Sequence, residues 1–267
     1  MNAQSNVEWI SHKGYRHESQ RNDQIAEWYD DWVSTQPITE DRFVREVETL
    51  MGDVAGQMVC DLACGQGRVS RRLADLGADV VGLDISSRLL AIARQAETND
   101  PRGITYLLAD ARSGEGIADG IFDGVVCHMA LMDIADLAPT LVSVARILKP
   151  DGWFIFSVLH PCYNTPQSGE MLASEGWIRT ISGYFDEGYW KSDTRTGPPG
   201  KVGAYHRTLG TYINALSDAG FTLERVNEPR FEGRAAEQRP IWAEVPAALI
   251  GRCHRQADSH ASNLMEE

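Results

Sequence analysis

The sequence predicts an α/β fold: an open sheet of about seven mostly parallel strands with helices on both faces. Three observations predict it. From residue 58 onward, short apolar runs alternate with amphipathic stretches, the spacing that builds βαβ units. The 267 residues are enough to bury a large core without staples. The composition, 43% apolar and 24% charged, is that of an ordinary globular chain.

The elements follow in order. Residues 1–20 are polar and expected to be loose. Ile25, Trp28, Tyr29 and Trp32, then Phe43, Val44, Val47 and Leu50, recur at helical spacing, and Pro37 separates two helices. Residues 58–63 read as a buried strand, and 67–77 as a helix closed by Gly77. Residues 79–84 form the next strand, and 86–97 a helix that Ser86 can cap. Residues 104–110 and 122–129 are the third and fourth strands. Residues 136–149 are a helix ended by Pro150-Asp151-Gly152, and 153–160 are the fifth strand. Residues 161–206 break the rhythm and are rich in Gly, Pro and aromatics. A helix over 208–220, a strand over 221–229 and a last strand around 245–253 close the pattern before a polar tail from 254.

Charge and cysteine usage exclude several function classes. The net charge of −13 repels a phosphate backbone, so no nucleic-acid partner is expected. No apolar run reaches the roughly 18 residues of a membrane span, so no membrane partner is expected. The N-terminus has no apolar signal region. Five scattered cysteines point to the cytoplasm and away from a disulfide framework. Cys60 and Cys64 lack a second pair at zinc spacing, and no metal is expected.

The segment Asp61-Leu62-Ala63-Cys64-Gly65-Gln66-Gly67 lies at the carboxyl end of the first strand and opens a helix. Small residues there let backbone approach a ligand, where open α/β sheets bind ligands. Two readings compete. A dinucleotide loop would need a third glycine, but Ser70 stands there. The other reading is a cofactor without a pyrophosphate. Asp84 ends the second strand and can accept from two ribose hydroxyls. Asp110 ends the third and can accept from an adenine amino group. An Asp at a strand end often only caps a turn, but three acids at three successive strand ends point to a ligand.

With these pieces the sequence resembles the class I S-adenosylmethionine-dependent methyltransferases, and most closely bacterial enzymes of small-molecule and natural-product metabolism. DLACGQG (61–67), GLDIS (82–86), LLADA (107–111), FDGVVCHMAL (122–131) and LKPDGWFIFS (148–157) carry the resemblance. It implies a Rossmann-like fold with S-adenosyl-L-methionine as cofactor and S-adenosyl-L-homocysteine as product. It implies that Gly65 and Gly67 pass the amino-acid part of the cofactor, with Asp61 behind them and Ala63 and Cys64 in the same loop. Asp84 would hold the ribose, Ile85 would pack on the adenine, and Ser86 would follow them. Asp110 and Ala111 would bind the adenine edge. Cys127 and His128 would lie under the methionine part. Tyr29, beside Asp30, would belong to a lid helix. Ala63 departs from the glycine many members carry. The implied organisation is a helical lid (1–50), a cofactor domain (51–160 and 207–253), a substrate-binding insertion (161–206) and a tail (254–267).

The acceptor side is less defined. His160 follows the fifth strand and is either a general base or a loop histidine bonded to a carbonyl. Asp133 either orients a substrate group or caps the following helix. Cys162 is not needed as a nucleophile. The segment 153–212 holds 11 of the 22 aromatic residues. Tyr163, Trp177, Tyr184, Tyr189, Trp190 and Tyr205, with His206, either line an acceptor pocket facing Trp28 and Trp32 or form a satellite core.

An aromatic box suits nitrogen or oxygen methylation of a small metabolite. It also suits carbon methylation of a prenyl alkene through a cation, with Glu170, Asp186, Glu187 or His206 as base. Lys191, Arg195, Lys201 and Arg207 could then meet a diphosphate. Rival functions are a nicotinamide oxidoreductase and a non-catalytic binding protein. Trp9, Trp28 and Trp32 serve a homo-oligomer contact as readily as a lid.

Overall fold

The computed structural model describes residues 15–35, 37–174, 176–191 and 197–256. Trp9, Arg195 and the tail beyond 256 lie outside the described residues.

Two helices come first, α1 Tyr15–Thr35 and α2 Pro37–Met51. Helix α1 therefore starts inside the stretch expected to be loose, because Glu18 is buried against the body of the protein. The alternation then proceeds through β1 Met58–Leu62, α3 Arg68–Asp75, β2 Asp79–Asp84, α4 Ser87–Asn99 and β3 Thr105–Leu108. It continues with β4 Phe122–His128, α5 Leu137–Ile147 and β5 Leu148–Leu159. Two hairpins follow: β6 Gly169–Ala173 with β7 Gly176–Thr180, and β8 Gly188–Trp190 with β9 Ala204–His206. The short α6 Pro198–Lys201 lies inside the second hairpin. The chain ends with α7 Leu209–Asp218, β10 Phe221–Asn227, α8 Arg234–Gln238 and β11 Ala248–Arg255.

Seven strands form one sheet in the order β10-β11-β5-β4-β1-β2-β3. Neighbours from β3 to β5 are parallel, and β11 runs antiparallel to both β5 and β10. The chain winds outward from β1 through β2 to β3, then returns to β4 on the other side. The switch point lies between β1 and β4, and a crevice opens at their carboxyl ends.

Alternating side chains divide the core between two faces. Cys60, Val125, Cys127, Phe154 and Phe156 point to the side covered by α5 and α7. Val59, Val126 and Ile155 point to the side covered by α2, α3 and α4. Helix α2, grouped with α1 as a lid on sequence, buries Val44, Val47 and Leu50 in this second layer.

Three element readings change. The helix expected over 136–149 stops at Ile147, because Pro150 cannot continue it and Leu148 pairs with Phe122 instead. Strand β5 therefore begins at Leu148 rather than 153, with an irregularity where Asp151 takes φ 60°. The insertion, read on sequence only as a break in the rhythm, contains both hairpins.

Candidate active site

The turn after β1 is set by three left-handed residues: Ala63 at φ 58°, Gly65 at φ 56° and Gly67 at φ 83°. They swing the chain sharply into α3. A side chain on Gly67 would put its Cβ 2.3 Å from the Tyr106 hydroxyl, so the position admits only glycine. A Cβ on Gly65 would meet just Tyr29, at 3.9 Å. The space it would fill belongs to the pocket.

Asp61 lies under this turn and does not line the pocket. Ser70 Oγ donates to it at 2.5 Å, and burial pushes its carboxyl up to about 7. Cys64 is also buried; its N–H donates to the Leu83 carbonyl at 2.9 Å, and burial pushes its thiol up. Asp84 is the second anchor. Its carboxylate accepts from Gly65 N–H at 2.8 Å and Ser86 N–H at 2.7 Å. Burial raises it to about 6. Each oxygen keeps a lone pair for a ligand hydroxyl. Ser86 caps α4 by accepting from Leu89 N–H at 3.2 Å, and its hydroxyl donates to Asp23 of α1 at 2.5 Å.

The pocket opens at the carboxyl edge of the sheet. Its floor and walls are Ala63, Gly65, Asp84, Ile85, Asp110 and Ala111, continuing through His128 to Asp133. Glu18, Asn22, Ile25 and Tyr29 of α1 roof it, with Pro198 and Val202 of the insertion. His128 is oriented by Ser157, whose Oγ lies 2.9 Å from Nδ1. Cys127, next to it, points away into the core.

A chain of charge ties the roof to the sheet. Asp110 accepts Arg112 Nε at 2.9 Å and Nη2 at 2.7 Å. Burial opposes ionisation, but the Arg112 bonds hold the carboxyl below its usual range. Arg112 reaches on to Glu18 at 3.1 Å. Glu18 also accepts from Ala135 N–H at 3.0 Å and the Tyr205 hydroxyl at 3.3 Å. Burial raises its pKa despite these partners. Glu18, Asn22 and Arg112 carried no sequence signal: they belong to no motif, and Glu18 sits in a polar stretch.

Asp133 follows β4 on a single 3-10 turn and lines the pocket. Among the described residues its carboxylate receives no hydrogen bond. Burial pushes it up to about 7. It does not cap α5; that position is held by Asp136.

His160 does not reach the pocket, which corrects its reading as a base. Cys162 N–H donates to its Nδ1 at 3.1 Å, so Nε2 carries the proton and donates to Glu228 at 2.8 Å. One nitrogen is committed to the turn after β5 and the other to Glu228 just after β10.

The expected aromatic box does not assemble either. Trp190 is fully buried in the core, and Trp177 lies exposed on β7. Arg179 covers the Tyr163 ring at 3.9 Å, and Trp242 Nε1 donates to its hydroxyl at 2.7 Å. The Tyr184 hydroxyl accepts from Leu209 N–H at 3.0 Å, and His206 Nε2 meets the Tyr184 carbonyl at 2.8 Å. Tyr189 and Tyr205 pack with centroids 5.4 Å apart. Trp28 and Trp32 stack at 6.0 Å on α1. Tyr29 is the only Trp, Tyr or Phe among the described residues lining the pocket. No group of three His, Cys, Asp or Glu that could hold a metal occurs among the described residues. No helix among them is long and apolar enough to cross a membrane.

Residues 60–156 match the family model of a methyltransferase domain. An S-adenosylmethionine-dependent methyltransferase from Mesorhizobium loti superposes with a TM-score of 0.68 and 33% identity, covering 79% of this chain and 96% of that one. The chain belongs to the S-adenosylmethionine-dependent methyltransferases.

Two curated methyltransferases match part of the chain. The ubiquinone biosynthesis O-methyltransferase of Thiobacillus denitrificans is 33% identical over 135 residues, 50% of this chain and 58% of that enzyme. The demethylmenaquinone methyltransferase of Renibacterium salmoninarum is 30% identical over 152 residues, 54% of this chain and 62% of that enzyme. The chain thus spans a little over half the length of these relatives. Its pocket fits the methyltransferase cofactor. The bare Cα of Gly65 leaves room against Tyr29, Asp84 offers two acceptors, and Ile85 and Leu89 give an apolar wall beside Asp110.

Proposed function

We propose that this methyltransferase transfers the methyl group to a nitrogen or oxygen of a small-molecule acceptor, with Asp133 taking the acceptor's proton. In this reading Gly65, Asp84, Ile85 and Asp110 hold the cofactor. Helix α1 is the lid, and the insertion contributes Pro198 and Val202 to the acceptor side. S-adenosylmethionine, when bound, supplies a methyl carbon already activated by its positive sulfur. What remains for the protein is to place a nucleophile in line and at about 3 Å and to accept a proton.

The observation that carries the reading is Asp133, a pocket carboxylate with no hydrogen-bond partner among the described residues. Burial brings it to about 7, where a base both exists and holds a proton. One relative is named an O-methyltransferase, which supports oxygen among the acceptor atoms. Carbon methylation through a cation loses its support, because the aromatic residues it needs pack elsewhere.

The test uses S-adenosylmethionine labelled in its methyl carbon, offered with small amines, phenols, hydroxyl compounds and isoprenoid alkenes. Mass spectrometry and carbon NMR locate the label. Label on nitrogen or oxygen is expected, with Asp133→Asn lowering kcat by about 100-fold. Label on carbon, or an unchanged kcat in Asp133→Asn, overturns the reading.

A further inference from the structure

We propose that Arg207 is a positioning residue: its guanidinium holds the 131–135 loop so that Asp133 faces the pocket. The inference rests on the proton-acceptor reading of Asp133 and extends it to a residue outside the pocket.

Arg207 sits between β9 and the Thr208 cap of α7 and is 8% exposed. Nη1 donates to the Leu131 carbonyl at 2.9 Å. Nη2 donates to the Ile134 carbonyl at 2.6 Å and the Ala135 carbonyl at 2.7 Å. The three acceptors bracket Asp133 on both sides. Outside the bonds of its own 3-10 turn, the loop is closed by Asp133 N–H donating to the Ala130 carbonyl at 2.8 Å. Its other carbonyls would need water or a donor fork.

Burying a guanidinium is costly unless it is paired. Among the described residues Arg207 has no carboxylate ion pair. It is held instead between the Tyr205 and Tyr212 rings, 5.4 and 6.0 Å from their centroids. A buried cation with its bonds spent on the carbonyls of a single loop is an arrangement that fixes that loop. Glu18 holds the same loop from the roof through Ala135 N–H. The sequence expectation that Arg207 meets an anionic ligand is thereby replaced.

Arg207→Lys separates position from charge. Lysine keeps the positive charge but is a point donor that cannot match three carbonyls. The charged and titratable groups around Asp133 are Glu18 and Arg21 of α1, Asp84 of β2, Cys127 of β4, Arg207 and Tyr212. All but Arg207 stay in place in this variant, and the lysine keeps the positive charge at that position.

The first readout needs no acceptor: carbon NMR titration of labelled aspartate carboxyls in the full chain. The Asp133 signal is assigned by its loss in Asp133→Asn. Release of the loop lets water reach Asp133. Its midpoint is expected to fall from near 7 by about one unit or more, toward the ordinary range.

The second readout is methyl transfer to the acceptor found above. Arg207→Lys is expected to lower kcat about tenfold or more, with S-adenosylhomocysteine affinity within about threefold. It should add no further loss in the Asp133→Asn background. An unmoved midpoint in folded Arg207→Lys, or losses that multiply in the double variant, overturns the proposal. If Arg207→Lys does not fold, Arg207→Gln is read by the double variant alone, with the same two outcomes. An unchanged kcat in Asp133→Asn rejects the proton-acceptor reading instead, and the NMR titration still decides whether Arg207 sets the place of Asp133.

Discussion

Asp84 and Asp133 are two acids of one pocket with different surroundings. Asp84 accepts two backbone N–H groups that belong to the cofactor loop and the α4 cap. Asp133 accepts none among the described residues. The first is built to hold a ligand hydroxyl, the second to exchange a proton. Ala63 is a third instructive residue. A non-glycine residue at φ 58° stores on the order of 1–3 kcal/mol. A glycine there would add about 0.4–1 kcal/mol of unfolded-state entropy. Strain is the larger effect, so Ala63→Gly is expected to raise thermal stability by about 1 kcal/mol. Calorimetric unfolding checks this; a lower midpoint would show the turn to be unstrained. The acids at the strand ends were legible in the sequence because each ends an apolar run. His160 misled because a histidine after β5 looks alike whether it faces the pocket or, as here, Glu228.

At the scale of elements, α1 is joined to the sheet by polar contacts at three points. Glu18 meets Arg112, Ala135 and Tyr205. Asp23 accepts from Ser86 Oγ and, at 3.2 Å, from Arg88 N–H. Glu27 pairs with Arg88 at the surface. The exposed pair contributes little; the Glu18 contacts, buried, dominate. Glu18→Ala leaves Arg112 with a lost partner and frees the roof. It is expected to speed S-adenosylhomocysteine release by about tenfold, the equivalent of about 1.4 kcal/mol. Stopped-flow dissociation measures it, and an unchanged rate would mean α1 does not gate the pocket.

The strands β1, β2, β4 and β5 were legible because they are buried largely on both faces and read as continuous apolar runs. The edge strand β3 leaves Leu107 and Leu108 exposed and was legible from its short apolar run alone. The hairpins of the insertion were not. Their strands are only 3 to 5 residues long. In β6–β7, Met171, Leu172, Trp177 and Ile178 are exposed, so no alternation marks a buried face. The aromatics there pack against arginines, backbone and each other, contacts that no local pattern encodes.

For the whole molecule, the raised carboxylates set a pH dependence. Asp61 and Asp133 stand near 7 and Asp84 near 6 in the fold, against 3.8 ordinarily. Between about pH 4 and 7 the native protein therefore holds protons that the unfolded chain has lost. Stability contributed by these groups is full below the unfolded pKa and is lost as pH rises through the folded values. The urea midpoint of the ligand-free protein is expected to be lower at about pH 8 than at about pH 6. Asp61→Asn should flatten the difference. A midpoint that rises with pH would contradict the burial of these acids.

The division of labour between Asp84 and Asp133 is tested most directly by calorimetric titration of S-adenosylhomocysteine into the protein and two variants. Binding at a single site is expected, weakened about tenfold or more in Asp84→Asn through the loss of an acceptor to a ligand hydroxyl. In Asp133→Asn the affinity should stay within about threefold, because that carboxylate serves the acceptor. Unchanged binding in Asp84→Asn, or a loss in Asp133→Asn as large as in Asp84→Asn, would contradict the assignment of the two acids.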